Sequence, residues 1–125
     1  MVKQFNRKVG KEGEEIAAKF LLDKGYKILE KNYQTRFGEI DLIACKKNIL
    51  TFVEVKLKHG DDFGTPEEMI GNSKLSQVQR MAEFYLMDRP KMPEIYKVYS
   101  IDAVCIVLNE NGEVERLNHY ENLTF

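Results

Sequence analysis

Hydrophobic positions recur at helical spacing in two stretches and at strand spacing between and after them. Ile16, Ala17, Phe20 and Leu21 make the buried stripe of a first helix. It begins between Asn6 and Glu12 and runs to about Lys24, where Gly25 is placed to end it. Tyr26 to Tyr33 reads as a first strand, with Ile28 inward on one alternation and Leu29 on the other. Gly38 to Lys56, GEIDLIACKKNILTFVEVK, is a pair of apolar runs joined by a polar turn at 46–48, a hairpin without the Asn-Gly signature. The glycines, proline and charges of LKHGDDFGTP predict a flexible loop after Lys56. Thr65-Pro66-Glu67-Glu68 combines an N-cap, a proline at the first helical position and a capping-box glutamate. Ser73 is expected to cap a longer helix with Leu75, Val78, Ala82, Tyr85 and Leu86 as its stripe, ending before Pro90. Val98 to Leu108 is the most apolar strand and reads as covered on both faces, and Asn111-Gly112 turns the chain into an edge strand over 113–119. This order predicts an α/β sandwich with a mixed central sheet flanked by helices, one domain over 1–125.

Charge interrupts the hairpin. Strand side chains two apart share a face, so Glu39 pairs with Asp41 and Glu54 with Lys56, while Ile40, Leu42, Ala44 and Val53, Val55, Leu57 fill the opposite faces. Two readings fit this spacing. One is a same-face ion pair on a solvated edge strand, worth about 0–1 kcal/mol. The other is a cluster of carboxylates holding a hard divalent cation through oxygen, with a lysine beside it. Buried like charges take up protons unless a cation compensates them. Glu14 lies along the edge of the first helix's stripe, where its carboxylate can reach the sheet. The alternative is that it complements the helix dipole together with Glu12 and Glu15.

The strings GEEIAAKFL, GYKILEKNY, GEIDLIA and FVEVK resemble the UPF0102 or YraN-like family of bacterial proteins, whose fold is restriction-endonuclease-like. Through that fold the chain is similar to the Holliday-junction resolvases and the PD-(D/E)xK nucleases. The resemblance puts Asp41 in the first acidic position, with Ile40 where the superfamily carries proline. Glu54 and Lys56 fall in the second half of the motif, and Glu14 at a helical glutamate. It implies a metal-dependent endonuclease acting on structured or damaged DNA. In that reading Asp41 and Glu54 bind Mg2+ or Mn2+, with the Val55 carbonyl as a third ligand and Glu14 or Glu39 completing the shell. Lys56 then orients the attacking water. Arg36, Lys58, Lys74 and Gln77 are candidates for contact with nucleic acid, against the plainer reading of Arg36 and Lys74 as solvated side chains. LNHYENLTF resembles the family's closing segment, with His119, Asn122 and Phe125 in matching places. Because resolvase-like enzymes cut two strands, a homodimer is an expectation. The competing reading is a catalytically silent nucleic-acid-binding or protein-interaction module on the same fold.

Composition narrows the setting. The 125 residues are 43% hydrophobic and 31% charged, an ordinary globular balance. A formal net charge of -1 excludes a global positive field, so any basic surface is local, as at Lys3, Arg7, Lys8 and Lys11. Cys45 and Cys105 lack zinc-site spacing and read as buried thiols in a reducing compartment. The amino terminus has no apolar core for a signal peptide, and no apolar run approaches the roughly 20 residues a membrane span needs. A cytoplasmic protein without membrane partners is expected. His59 reads as exposed, and Asp102 as a strand-entry residue bonded to neighbouring backbone.

Overall fold

The first helix, α1, spans Val2–Asp23 and starts earlier than the sequence suggests. The computed structural model describes residues 2–60 and 64–123, with α1 side chains from Val9 onward. Neither Gly10 nor Gly13 interrupts the helix. At Gly13 a Cβ would lie 3.2 Å from the Leu57 Cβ, so the missing side chain lets α1 settle close onto the sheet. Gly25 ends the helix as expected. Its φ of 101° closes a Schellman motif in which Tyr26 N donates to Leu21 O at 2.9 Å and Gly25 N to Leu22 O at 3.0 Å.

Five strands follow the order of the chain across one sheet: β1 (Lys27–Thr35), β2 (Gly38–Lys46), β3 (Ile49–His59), β4 (Val98–Leu108) and β5 (Val114–Tyr120). Neighbours are antiparallel except β3 and β4, so the sheet is mixed. The crossover between those two carries a 3-10 turn (Pro66–Met69), the helix α2 (Asn72–Asp88) and a short helix α3 (Met92–Ile95). One face packs Leu42, Val53, Val104 and Ile106 against Leu21 of α1. The other packs Ile43, Phe52 and Ile101 against Val78 and Tyr85 of α2. Tyr85 meets the rings of Tyr33 and Phe52 edge to face, at 5.1 and 5.5 Å between centroids. Ile28 joins the α1 core and Leu29 the α2 core, as the alternation of adjacent strand residues requires, and a bulge shifts the register with β2 between Ile28 and Glu30.

Several expectations need correction. Leu57–His59 is strand, not loop, because the parallel ladder with β4 continues to His59↔Leu108. Gly71, without a side-chain hydrogen bond, caps α2, and Ser73 lies inside its first turn. Thr65 does cap, but for the 3-10 turn, where Glu68 N donates to its Oγ1 at 3.3 Å. The short α3 carries no apolar stripe from which periodicity could have announced it. Cys45 and Cys105 are buried free thiols. Among the described residues no helix is long and apolar enough to cross a membrane.

Candidate functional site

The β2–β3 ladder runs from Lys46↔Ile49 to Leu42↔Val53 and stops. One step beyond, the Val55 N–H donates not to backbone but to Asp41 Oδ2, at 2.8 Å. On the other side of β2, the ladder with β1 skips Asn32 and Asp41 between Lys31↔Leu42 and Tyr33↔Ile40. Asn32 sits there with φ 55°, a left-handed conformation that asparagine tolerates better than most residues. The face alternation of β2 turns over at this point. Ile40 packs with Ile43 and Cys45 on the α2 side, whereas Leu42 and Ala44 pack on the α1 side. The shared face expected for Ile40, Leu42 and Ala44 is therefore wrong. Asp41, freed from ordinary pairing, lies only 9% exposed between the layers.

Glu54 faces Asp41 from β3 and is 2% exposed. Its Oε1 is 3.6 Å from Lys56 Nζ and 3.7 Å from Lys74 Nζ, at the start of α2. Its Oε2 is buried with no hydrogen-bond partner among the described residues. Because β3 is interior and this carboxylate is buried, the solvated edge-strand ion pair does not apply.

The electrostatics join the acidic groups into one cluster. Burial, reinforced by the Asp41 charge, pushes Glu54 up to about 7 against the pull of Lys74 and Lys56. Burial also raises Asp41, with Glu39 adding and the Val55 N–H and both lysines opposing. On α1, burial followed by the charges of Asp41 and Glu39 pushes Glu14 up to about 7, while an Asn32 hydrogen bond and Lys31 pull it down. Glu14 thus reaches the sheet. Glu39, half-buried, accepts from Gln34 Nε2 at 3.1 Å. The donors are all oxygens, the set that hard divalent cations take, and one of them, Glu54 Oε2, is orphaned. In donor chemistry these residues fit such an ion, although no three of these carboxylates bring their oxygens within 4.8 Å of one another among the described residues.

The remaining candidates divide. Lys74 joins the carboxylates, and Lys58, half-buried, follows Lys56 on β3. Gln77 instead donates its Nε2 from α2 to the Phe37 carbonyl at 2.7 Å, and the Arg36 guanidinium lies 5.2 Å from the Phe37 ring centroid, so both side chains engage the β1–β2 turn. His59 is exposed as expected, 3.8 Å from Glu12. The side chains of Lys3, Arg7 and Lys8, and Phe125, lie outside the described residues. Asn32 was missed, and its only trace was an asparagine inside a strand-like run.

Asp102 is not at the strand entry but well inside β4 and buried. Its Oδ1 accepts from Asn122 N at 3.0 Å, the expected kind of backbone bond, and from Ser100 Oγ at 3.1 Å. Its Oδ2 is 2.8 Å from His119 Nε2, and His119 Nδ1 is 2.8 Å from Lys24 Nζ. Lysine only donates, so Nδ1 accepts and Nε2–H donates to Asp102. Asp102, His119 and Glu121 offer ligand atoms within 4.8 Å of one another. Both ring nitrogens are already engaged, and the Lys24 ammonium lies 3.9 Å from Glu121, so the cluster is a satisfied structural network.

Residues 13–106 match the uncharacterised protein family UPF0102. A UPF0102 protein of Syntrophomonas wolfei subsp. wolfei is 43% identical over 118 residues, covering 94% of this chain and 97% of the relative. A UPF0102 protein of Dictyoglomus turgidum is 38% identical over 117 residues, with the same two coverages. One of Fervidobacterium nodosum is 44% identical over 119 residues, covering 95% of this chain and 84% of the relative.

Proposed function

This chain belongs to the UPF0102 family, and we propose that it is a metal-dependent nuclease hydrolysing phosphodiester bonds in structured or damaged DNA. One observation carries the reading: the buried, unpartnered Glu54 Oε2 beside Asp41, with Lys56 and Lys74 at the other oxygen. A buried polar atom left unsatisfied costs about 1–3 kcal/mol, and more when charged. A divalent cation liganded by oxygen removes that penalty and the carboxylate repulsion together. Asp41 and Glu54 would hold Mg2+ or Mn2+, joined by the Val55 carbonyl, which shares a strand edge with the N–H that Asp41 engages. Glu14 or Glu39 would complete the set.

When bound, such an ion lowers the pKa of an attacking water and stabilises charge on the phosphate. The chain's own groups supply the rest. The Val55 N–H fixes Asp41 through Oδ2 and leaves Oδ1 for a ligand role. Lys56 presents an ammonium beside the cluster, suited to orienting water and offsetting charge that builds on phosphoryl oxygens. Lys74 holds Glu54 from the helix side. The Asp and Glu-x-Lys arrangement resembles that of the PD-(D/E)xK nucleases and their restriction-endonuclease-like fold, which supports the same chemistry. A cytoplasmic setting and a homodimer that cuts paired strands belong to this proposal.

The test is cleavage of labelled duplex, single strand, flap, four-way junction and structured RNA in Mg2+ and in Mn2+. Glu54→Gln and Lys56→Ala run in parallel. Cutting of one structure by wild type, abolished in both variants and by EDTA, is expected. Cutting that survives both substitutions refutes the site, and binding without cutting by any preparation supports the silent module instead.

A further inference from the structure

Two aromatic rings stand open where the β1–β2 turn meets α2. Phe37, in the β1–β2 turn, is 51% exposed and Phe84, on α2, is 46% exposed; the rings meet edge to face at 6.3 Å between centroids. They are held there by fixed contacts. Gln77 Nε2 grips the Phe37 carbonyl at 2.7 Å. At the adjoining Gly38 a Cβ would lie 2.7 Å from that same Nε2 and 3.3 Å from Met81 Sδ. The turn is therefore pinned against the helix, and Arg36 brings a cation to the Phe37 ring. Lys74, Gln77, Met81 and Phe84 succeed one another at three- and four-residue spacing, one stripe of α2 leading from Glu54 to the rings. Ten helical residues span about 15 Å, roughly four nucleotides at the ~3.4 Å rise of a stacked strand.

We propose that Phe37 and Phe84, flanked by Arg36, form a platform on which an unpaired base stacks. The substrate is then a DNA strand with an unpaired nucleotide roughly four positions from the scissile phosphate. The second statement rests on the nuclease reading; the platform itself does not. Cations interleaved with aromatic rings are the chemistry of single-strand grooves, where every base offers a π face. A duplex hides those faces inside its stack, so this surface distinguishes unpaired from paired DNA. The basic residues at both ends of the stripe favour a nucleic acid over an apolar protein partner, and a net charge of -1 makes such a local cationic track the feature a phosphate backbone would find.

The chain has no tryptophan, so Phe37→Trp introduces a lone indole whose emission reports stacking. In EDTA, a short oligothymidylate is expected to quench that emission, and the blunt duplex of equal length is not. An indole introduced by Ile95→Trp, at a site 61% exposed on α3, should stay unquenched by both. Adding Phe84→Ala should weaken binding of the strand by about 5- to 150-fold, the range of one base–aromatic stack, with Phe84→Tyr restoring it. Circular dichroism checks that each variant is folded. Equal quenching of the two indoles, no quenching at all, or strand affinity unmoved in folded Phe84→Ala overturns the proposal. So does a change of oligomeric state on Phe84→Ala without strand binding, which would make the face a contact between copies. Cleavage of the same strand in Mn2+ is scored separately. Quenching without Glu54-dependent cleavage keeps the platform and refutes the nuclease reading, and cleavage without quenching does the reverse.

Discussion

Removing the charge of Glu54 is expected to stabilise the metal-free protein above neutral pH. The carboxyl moves from 4.5 to about 7 on folding, chiefly through burial and the Asp41 charge. The folded state therefore holds the extra proton. This group's contribution is fully present below pH 4.5 and is lost as the pH rises through about 7. The two titrations are separated by about two and a half pH units, which makes the charged form cost about 3 kcal/mol near pH 8 and under about 1 kcal/mol near pH 5. Glutamine in Glu54→Gln keeps the side-chain shape, can donate a hydrogen bond and carries no charge. In EDTA the variant should melt about 10 °C above wild type near pH 8, and close to it near pH 5. Thermal melts by circular dichroism at the two pH values, with urea titrations for the free energies, measure the difference. A variant that melts at or below wild type near pH 8, or gains equally at both pH values, would refute the reasoning, because the buried charge would then not be what the fold tolerates at this position.

Further outcomes follow from the same geometry. Millimolar Mn2+ should raise the melting temperature of wild type, by about 3 kcal/mol of stability at a hundred times the dissociation constant. It should leave Asp41→Asn unmoved, although that side chain can still accept from Val55 N; an unshifted wild type would count against the metal. Gly38→Ala should lose about 1–2 kcal/mol, since its φ of 138° and the nearby Gln77 leave no place for a methyl group. Melts that match wild type would show the turn to be looser than described. Asp102→Ala strips the acceptor from Asn122, Ser100 and His119 and should cost about 3 kcal/mol in urea titrations without altering cleavage. Lost cleavage in a folded Asp102→Ala protein would show that this network reaches the carboxylates.

Local signals carried the elements that depend on local physics. Gly25 could be read as the helix stop because a left-handed glycine closes the last turn wherever it stands. Val98–Leu108 could be read to both ends because a strand covered on two faces is apolar throughout. What escaped was set by partners distant in sequence. Gly13 lies within the helix that the stripe predicts, but its close approach to Leu57 is not written in the helix's own pattern. The end of β3 reads as loop because its support is Leu108. The reversal of faces at Asp41 depends on the backbone of Asn32 one strand away, which no alternation within β2 records. At the site, spacing alone left an ion pair and a metal cluster equally open; a solvated edge-strand pair is removed by the fold, because β3 is interior and Glu54 is buried. Lys56 and Glu54 do approach to 3.6 Å, yet as a buried contact with an oxygen to spare. Gln77, a candidate for nucleic-acid contact on sequence alone, instead meets a turn from a distant part of the chain, which spacing along α2 does not record.

The bulge at Leu29 and the left-handed Asn32 bear on more than the position of Asp41. They lie on β1, an outer strand of the sheet, on which Lys27 and Lys31 are also exposed. Outer strands invite another chain to add on, and twists, bulges and lysines are what deter it. The opposite rim, β5, is guarded by the 3-10 turn, where Glu67 pairs with Arg116 at 2.6 Å and accepts from the Tyr120 hydroxyl at 2.8 Å. The distortion that takes Asp41 out of the ladder thus also leaves this edge poorly suited to pairing with the edge of another sheet.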